Sequence, residues 1–310
     1  MESIGGIVFV TGAGGFIGPA VVRALLAHGA RVRALLGAPG QSVRPLPPEV
    51  KTAVADITDT AALDELARGA GIAVHMAGPA SVSASFECPA ESARVHVAGT
   101  AALLEVCRRA GVRRFVYVSS AEVYGRTEAS AVHEDFPLQP RSPYGAAKAG
   151  AEQVVGAFAR AFGLQVIILR PFSVYGPGLS PSSLIGKTLR MAQFEDSVVL
   201  NDLRPIRDYG YVEDLVDAVL RSCTTAVPDV TILNIGTGRG TSVEEIAELI
   251  LARVGRRVPL RERPGQRRPA DSEIYRLVAD STRAREVLGW QASTSLETGL
   301  GRMIEAMVGA

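Results

Sequence analysis

Residues 7–18 read Ile7-Val8-Phe9-Val10-Thr11-Gly12-Ala13-Gly14-Gly15-Phe16-Ile17-Gly18. The apolar run, rich in β-branched side chains, is too short for a helix and reads as a buried strand that breaks into a glycine turn. Over 16–27 apolar residues recur at helical spacing, and His28-Gly29 supplies a stop. Gly12, Gly15 and Gly18 therefore stand as G-x-x-G-x-x-G between a strand and a helix. Glycine there lets the backbone turn tightly and approach a pyrophosphate, whose charge rests on the unpaired amides of the helix N-terminus. A glycine-rich turn alone is an ordinary connection; in this strand-turn-helix setting it predicts a dinucleotide site.

The same alternation continues outward. Strands are predicted at 31–36, 51–55, 72–76, 114–118 and 165–169, with helices around 63–67, 91–110 and 143–162. Strands separated by helices pair in parallel, because a parallel crossover needs a connection that a helix fills. The fold class is α/β, a doubly wound parallel sheet of Rossmann type with a smaller C-terminal α/β part. After Arg170-Pro171 the rhythm weakens into a loop at 176–181, a helix at 184–193, a strand at 231–235 and helices near 243–254 and 281–288. Two parts are expected: a dinucleotide-binding domain of residues 1–170 plus about 207–240, and a substrate domain of about 171–206 and 241–310. The proline- and arginine-rich stretch 256–269 reads as a structured loop meeting phosphate, since Glu262 dilutes its charge.

With 47% hydrophobic and 21% charged residues, the 310-residue chain can bury an ample core. Its 33 basic and 32 acidic residues leave +1, too little to attract nucleic acid or an anionic membrane, so an anionic ligand needs a local site. Cys88, Cys107 and Cys223 form neither a disulfide framework nor a metal pattern, and no metal site is expected. The absence of a leader and of a long apolar run points to a cytoplasmic location and no membrane partner.

Tyr144 and Lys148 form Y-x-x-x-K, a spacing that puts both on one helix face. A free tyrosine has a pKa near ~10, so an ammonium, a bound positive nicotinamide and a polarising hydroxyl are needed to make its phenolate available near neutrality. Ser120, after the strand 114–118, can supply the hydroxyl. Such a pair alone reads as a solvated helix face; with the glycine turn it reads as an acid–base couple.

TGAGGFIG at 11–18, HMAG at 75–78, SSAEVYG at 119–125, PYGAAK at 143–148, RPFSVYGPG at 170–178, RDY at 207–209 with VED at 212–214, and LGW at 288–290 follow in order along nearly the whole chain. In these motifs the sequence resembles the extended short-chain dehydrogenase/reductase family of nucleotide-sugar epimerases, dehydratases and reductases. The resemblance implies a nucleotide-diphosphate sugar as substrate, Tyr144 as acid–base, Lys148 on the nicotinamide ribose, and Ser120 on the reacting sugar oxygen. It implies cofactor contacts from Gly12, Gly14, Gly15, Phe16, Ile17, Gly18, Met76, Ala77, Gly78, Ser119, Tyr144, Lys148 and Pro171, with Asp56 and Ile57 near the adenine. Substrate contacts are implied for Ser81, Ser120, Ser173, Val199, Arg207 and Arg276; Arg207 reads equally as a diphosphate contact or a surface salt bridge. The family's dimer would here use the helices 91–110 and 143–162.

Departures from the family pattern bear on the reaction. The second strand ends in neutral Leu36 where an NAD site has a carboxylate, and Arg33 lies in that strand, so NADP(H) is expected over NAD(H), with NAD(H) open. The 4,6-dehydratases carry an acid and a base after the Ser/Thr; here Ala121 and Glu122 stand there, so the acid is missing. Glu122 could serve as a base or hold a sugar hydroxyl or the backbone. Ser173 and His96 replace asparagines of many relatives. The stretch 198–208 looks most like the GDP-4-keto-6-deoxymannose reductase branch, so a 4-ketoreductase of an NDP-4-keto-6-deoxyhexose is expected first. The alternative is an epimerase or atypical dehydratase that recycles a tightly held cofactor.

Overall fold

The computed structural model describes residues 3–228, 230–263 and 272–308. Its first half runs β1 (Ile7–Thr11), α1 (Gly18–Ala27), β2 (Arg31–Leu35), β3 (Lys51–Ala53), α2 (Thr60–Ala67) and β4 (Ala70–His75). Then come α3 (Val82–Glu87), α4 (Pro89–Ala93), α5 (Gly99–Ala110), β5 (Arg114–Val118), α6 (Pro143–Phe162) and β6 (Gln165–Pro171). The second half holds β7 (Ser173–Tyr175), α7 (Leu184–Phe194), β8 (Val198–Leu200), β9 (Ile206–Tyr211), α8 (Val212–Thr224) and β10 (Val230–Ile235). It closes with β11 (Gly240–Ser242), α9 (Val243–Val254), β12 (Leu260–Glu262), β13 (Arg276–Leu277), α10 (Thr282–Leu288) and α11 (Leu296–Val308).

Seven parallel strands form the main sheet in the order β10-β6-β5-β4-β1-β2-β3. Both faces are covered. One face packs Val21 and Leu25 of α1 with Leu215 and Val219 of α8, and the other packs Leu63 of α2, Leu103 of α5 and Val155 of α6. Apolar strands buried on both faces are what a doubly wound sheet requires. A separate apolar cluster, with Leu189, Ile246, Ile250 and Leu300, underlies the small sheets β11-β9-β13 and β12-β8.

The predicted strands of the main sheet and the long helices are present, with two instructive differences. The helix expected over 91–110 is α4 and α5 joined by a π-helical turn, Arg94–Ala98. The wider turn carries His96 into the interior, and Gly99 beyond it seats against Ile57, where a Cβ would collide. The third strand ends at Ala53, so Asp56 belongs to the connection beyond it. The three-residue strands β7, β8, β11 and β12 are too short to carry a readable period. Of the stretch 256–269, Leu260–Glu262 is a strand on β8, and 264–269 lies outside the described residues.

Candidate functional site

The strand order reverses between β1 and β4, which opens a crevice at their C-terminal ends. Gly12, at φ +73°, enters the turn, and a Cβ there would stand 2.7 Å from the Ala77 amide nitrogen. Only a residue without a side chain lets the turn and the 76–78 segment meet. Ile17 caps α1 without a side-chain bond, and among the described residues the amides of Phe16 and Ile17 have no acceptor. Open donors at a helix N-terminus suit an anion.

Across the crevice, Ser142 accepts the Gly145 N–H at 3.0 Å to cap α6, and Pro143 presets its first turn. Tyr144 and Lys148 follow one turn apart, both buried. Lys148 Nζ donates to the Val118 carbonyl at 2.8 Å, which ties the helix to the end of β5. Ser120 leaves that strand, and its Oγ accepts the Glu122 N–H at 3.2 Å. Burial pushes the Tyr144 phenol up to about 12; the Ser120 hydroxyl opposes the shift and the Glu122 carboxylate adds to it. Burial brings Lys148 down to about 7 against the pull of Glu152. The fold thus brings Ser120, Glu122, Tyr144 and Lys148 together.

His96 joins this group to the crevice. Its Nε2 donates to the Pro79 carbonyl at 3.0 Å, which leaves Nδ1 an acceptor, buried and without a partner. The ring meets Tyr144 edge-on at 5.4 Å, and Gly78, at φ +135°, has no room for a Cβ beside Nδ1. Burial, then the charge of Lys148, brings its pKa to about 3, so the imidazole is neutral. The sequence marked His96 only as a stand-in for asparagine. Behind the helix lies a group whose carboxylate no motif marks: Glu152 pairs with Arg170 at 2.6 Å and accepts from Ser119 Oγ at 2.5 Å, both charges almost fully buried. The one sequence signal for Glu152 is its place four residues beyond Lys148, on the same helix face.

Several expected contacts are otherwise engaged. The Arg33 guanidinium donates to the carbonyls of Glu65 and Arg68 at the C-terminus of α2, where the helix dipole favours a cation. Asp56 takes both Arg94 nitrogens at 2.9 Å and the Thr58 hydroxyl, which holds its carboxyl well below the usual range. The Ser119 hydroxyl is committed to Glu152, and Ser81 Oγ caps α3 by accepting the Ala84 N–H. Arg276 pairs with Ile206 and Leu277 with Arg207, so the two arginines leave opposite faces of the small sheet. Arg207 faces Glu273 at 3.4 Å, and Arg276 donates to the Ser130 carbonyl. Ser173 lies in β7 and Val199 in β8, both half-buried. Met76 to Gly78 follow β4, Pro171 ends β6, and Ile57 lies under Gly99.

Among the described residues no cluster of His, Cys, Asp or Glu could hold a metal, and no helix is long and apolar enough to cross a membrane.

The profile of the NAD dependent epimerase/dehydratase family matches residues 8–236. The UDP-glucose 4-epimerase of Mycolicibacterium smegmatis is 34% identical over 310 residues, covering 96% of either chain. Among solved structures, MoeE5 in complex with UDP-glucuronic acid and NAD superposes with a TM-score of 0.89 at 33% identity, over 98% of this chain and 99% of that one. The UDP-glucose 4-epimerase of Thermotoga maritima with UDP-glucose does so with a TM-score of 0.89 at 31% identity, with the same coverage. Relatives of this kind favour the epimerase alternative over the 4-ketoreductase expected first.

Proposed function

Because this chain belongs to the NAD-dependent epimerase/dehydratase family, we propose that it is a nucleotide-sugar 4-epimerase acting on a UDP-hexose, with NAD held and recycled in the crevice. The observation that carries the reading is the acid–base set: one buried phenol, Tyr144, beside one hydroxyl, Ser120, and one ammonium, Lys148, with Ala121 where a dehydratase needs its acid. Inverting a C4 carbinol requires a proton removed from and returned to one oxygen, which a single phenol can do. Elimination of water requires a second acid.

The residues present fit the cofactor. The side-chain-free turn at Gly12 and the open amides of Phe16 and Ile17 would hold its diphosphate. Lys148 would donate to the nicotinamide ribose. When bound, the nicotinamide supplies hydride acceptance and return. As a phenolate, Tyr144 would take the proton of the C4 hydroxyl and, as the phenol so formed, give it back; Ser120 would donate to the same oxygen, and Lys148 would stabilise the phenolate before the first event and after the second. Leu36 presents no carboxylate to the adenine ribose, but with Arg33 turned to α2 the expected partner of a 2′-phosphate is gone, which supports NAD over NADP. Residues of the small sheets around β7, β8 and β9 would form the sugar-nucleotide side, and α5 with α6 the dimer contact.

The test is incubation with UDP-glucose, dTDP-glucose and GDP-mannose, reading the C4 configuration by NMR and the cofactor by absorbance. Appearance of the UDP-sugar C4 epimer with no net change in cofactor is expected, and Tyr144→Phe should lose about a thousandfold in rate while still binding NAD. Stoichiometric consumption of reduced cofactor with a 4-ketosugar, or wild-type rates in Tyr144→Phe, would refute the reading.

A further inference from the structure

The connection between β2 and β3, residues 36–50, returns across the glycine turn. Val43 lies on Gly14, where a Cβ would come within 2.8 Å of it, and the Arg44 N–H donates to the Gly14 carbonyl at 3.0 Å. The Arg44 guanidinium stands 6.0 Å from the Phe16 ring centre. It donates to the Phe16 carbonyl at 3.3 Å and to the carbonyl of Gly178, in the loop after β7. It therefore spans the mouth of the crevice, from the start of α1 to the segment that leads into the smaller part.

The position is costly for a cation. Helix N-termini carry a partial positive charge and favour anions, and arginines settle at C-termini, as Arg33 does here. Arg94, Arg109, Arg170 and Arg283 each face a carboxylate, whereas Arg44 has only carbonyls among the described residues. An uncompensated guanidinium beside the open amides of Phe16 and Ile17 makes a site that lacks its negative charge.

We propose that Arg44 is the residue that retains the dinucleotide, completing the charge balance of its diphosphate and closing the crevice through Gly178. This rests on the reading that the crevice binds NAD. A bridge that must break before the cofactor leaves slows its exchange, which is what an enzyme recycling one bound cofactor needs.

The experiment compares wild type, Arg44→Ala and Arg44→Lys, each checked for folding by circular dichroism. Calorimetry with ADP-ribose and with adenosine is combined with stopped-flow release of NADH into excess NAD. Loss of a charged hydrogen bond predicts that Arg44→Ala weakens ADP-ribose binding about tenfold or more and speeds NADH release, with adenosine binding unchanged. Arg44→Lys should recover part of the affinity but still release NADH faster than wild type. Wild-type release and ADP-ribose affinity in Arg44→Ala would overturn the inference, as would an equal loss of adenosine binding, which marks a collapsed loop. A wild-type chain that binds neither NADH nor ADP-ribose would instead sink the cofactor reading, and this inference with it.

Discussion

At Lys148, function and stability pull in opposite directions. Burial holds its pKa near 7, against an ordinary value of 10.5. The unfolded chain binds the proton more tightly than the folded one, so folding is penalised in full below about pH 7, and the penalty fades as the pH rises toward 10.5. Lys148→Met should therefore raise the melting temperature of the cofactor-free protein, and by more at about pH 6 than at about pH 9.5. Melting curves at the two pH values check this; a gain of equal size at both, or a loss, would contradict the burial account. Bound anionic cofactor should narrow the difference, because the ammonium then gains a partner. His96, held neutral beside it, adds no competing charge.

Among the elements, α6 carries Tyr144 and Lys148, and a buried ion pair anchors it. Glu152 accepts from Ser119 at the end of β5 and from Arg170 in β6. Arg170 also donates to Tyr124, whose hydroxyl donates to Asn234 in β10. One carboxylate thus ties α6 into a network that reaches three neighbouring strands. Glu152→Ala leaves the Arg170 charge buried and alone, at a cost of about 3–5 kcal/mol in denaturant unfolding. Glu152→Gln keeps one acceptor oxygen for Arg170 but sets its amide N–H against the other Arg170 donor, so it should recover only part of the loss. Equal stability of Glu152→Ala and wild type would show that the pair carries no net weight. The π turn before α5 has a comparable role on the other side, since it carries His96 beneath Gly78.

For the whole molecule, the dimer contact proposed above on α5 and α6 can be tested on their outer faces. Ala146 and Ala157 are exposed on α6, and Phe162, 54% exposed, packs its ring under Arg108 of α5. Small side chains let helices approach closely and leave an apolar surface whose burial favours association. Sedimentation should find a dimer for the wild type and a folded monomer for Ala157→Arg. A monomeric wild type, or an undisturbed dimer in the variant, would place the contact elsewhere.

The reach of the sequence follows from the range of the interactions involved. The glycine turn, the strand–helix rhythm and the Tyr144–Lys148 spacing are local patterns: the turn and the helices close their hydrogen bonds within a few residues, and each strand is marked by its own short apolar run although its partners are distant. The direction of a long charged side chain is set by distant partners instead. Arg33 went to α2, Asp56 to Arg94, and Arg207 and Arg276 to opposite faces of a small sheet whose short strands leave no period to read. The orphan nitrogen of His96, the Glu152–Arg170 pair and the bridge from Arg44 to Gly178 join segments far apart in sequence. Only packing of the finished chain brings such groups into contact, because desolvation and pairing act between neighbours in space.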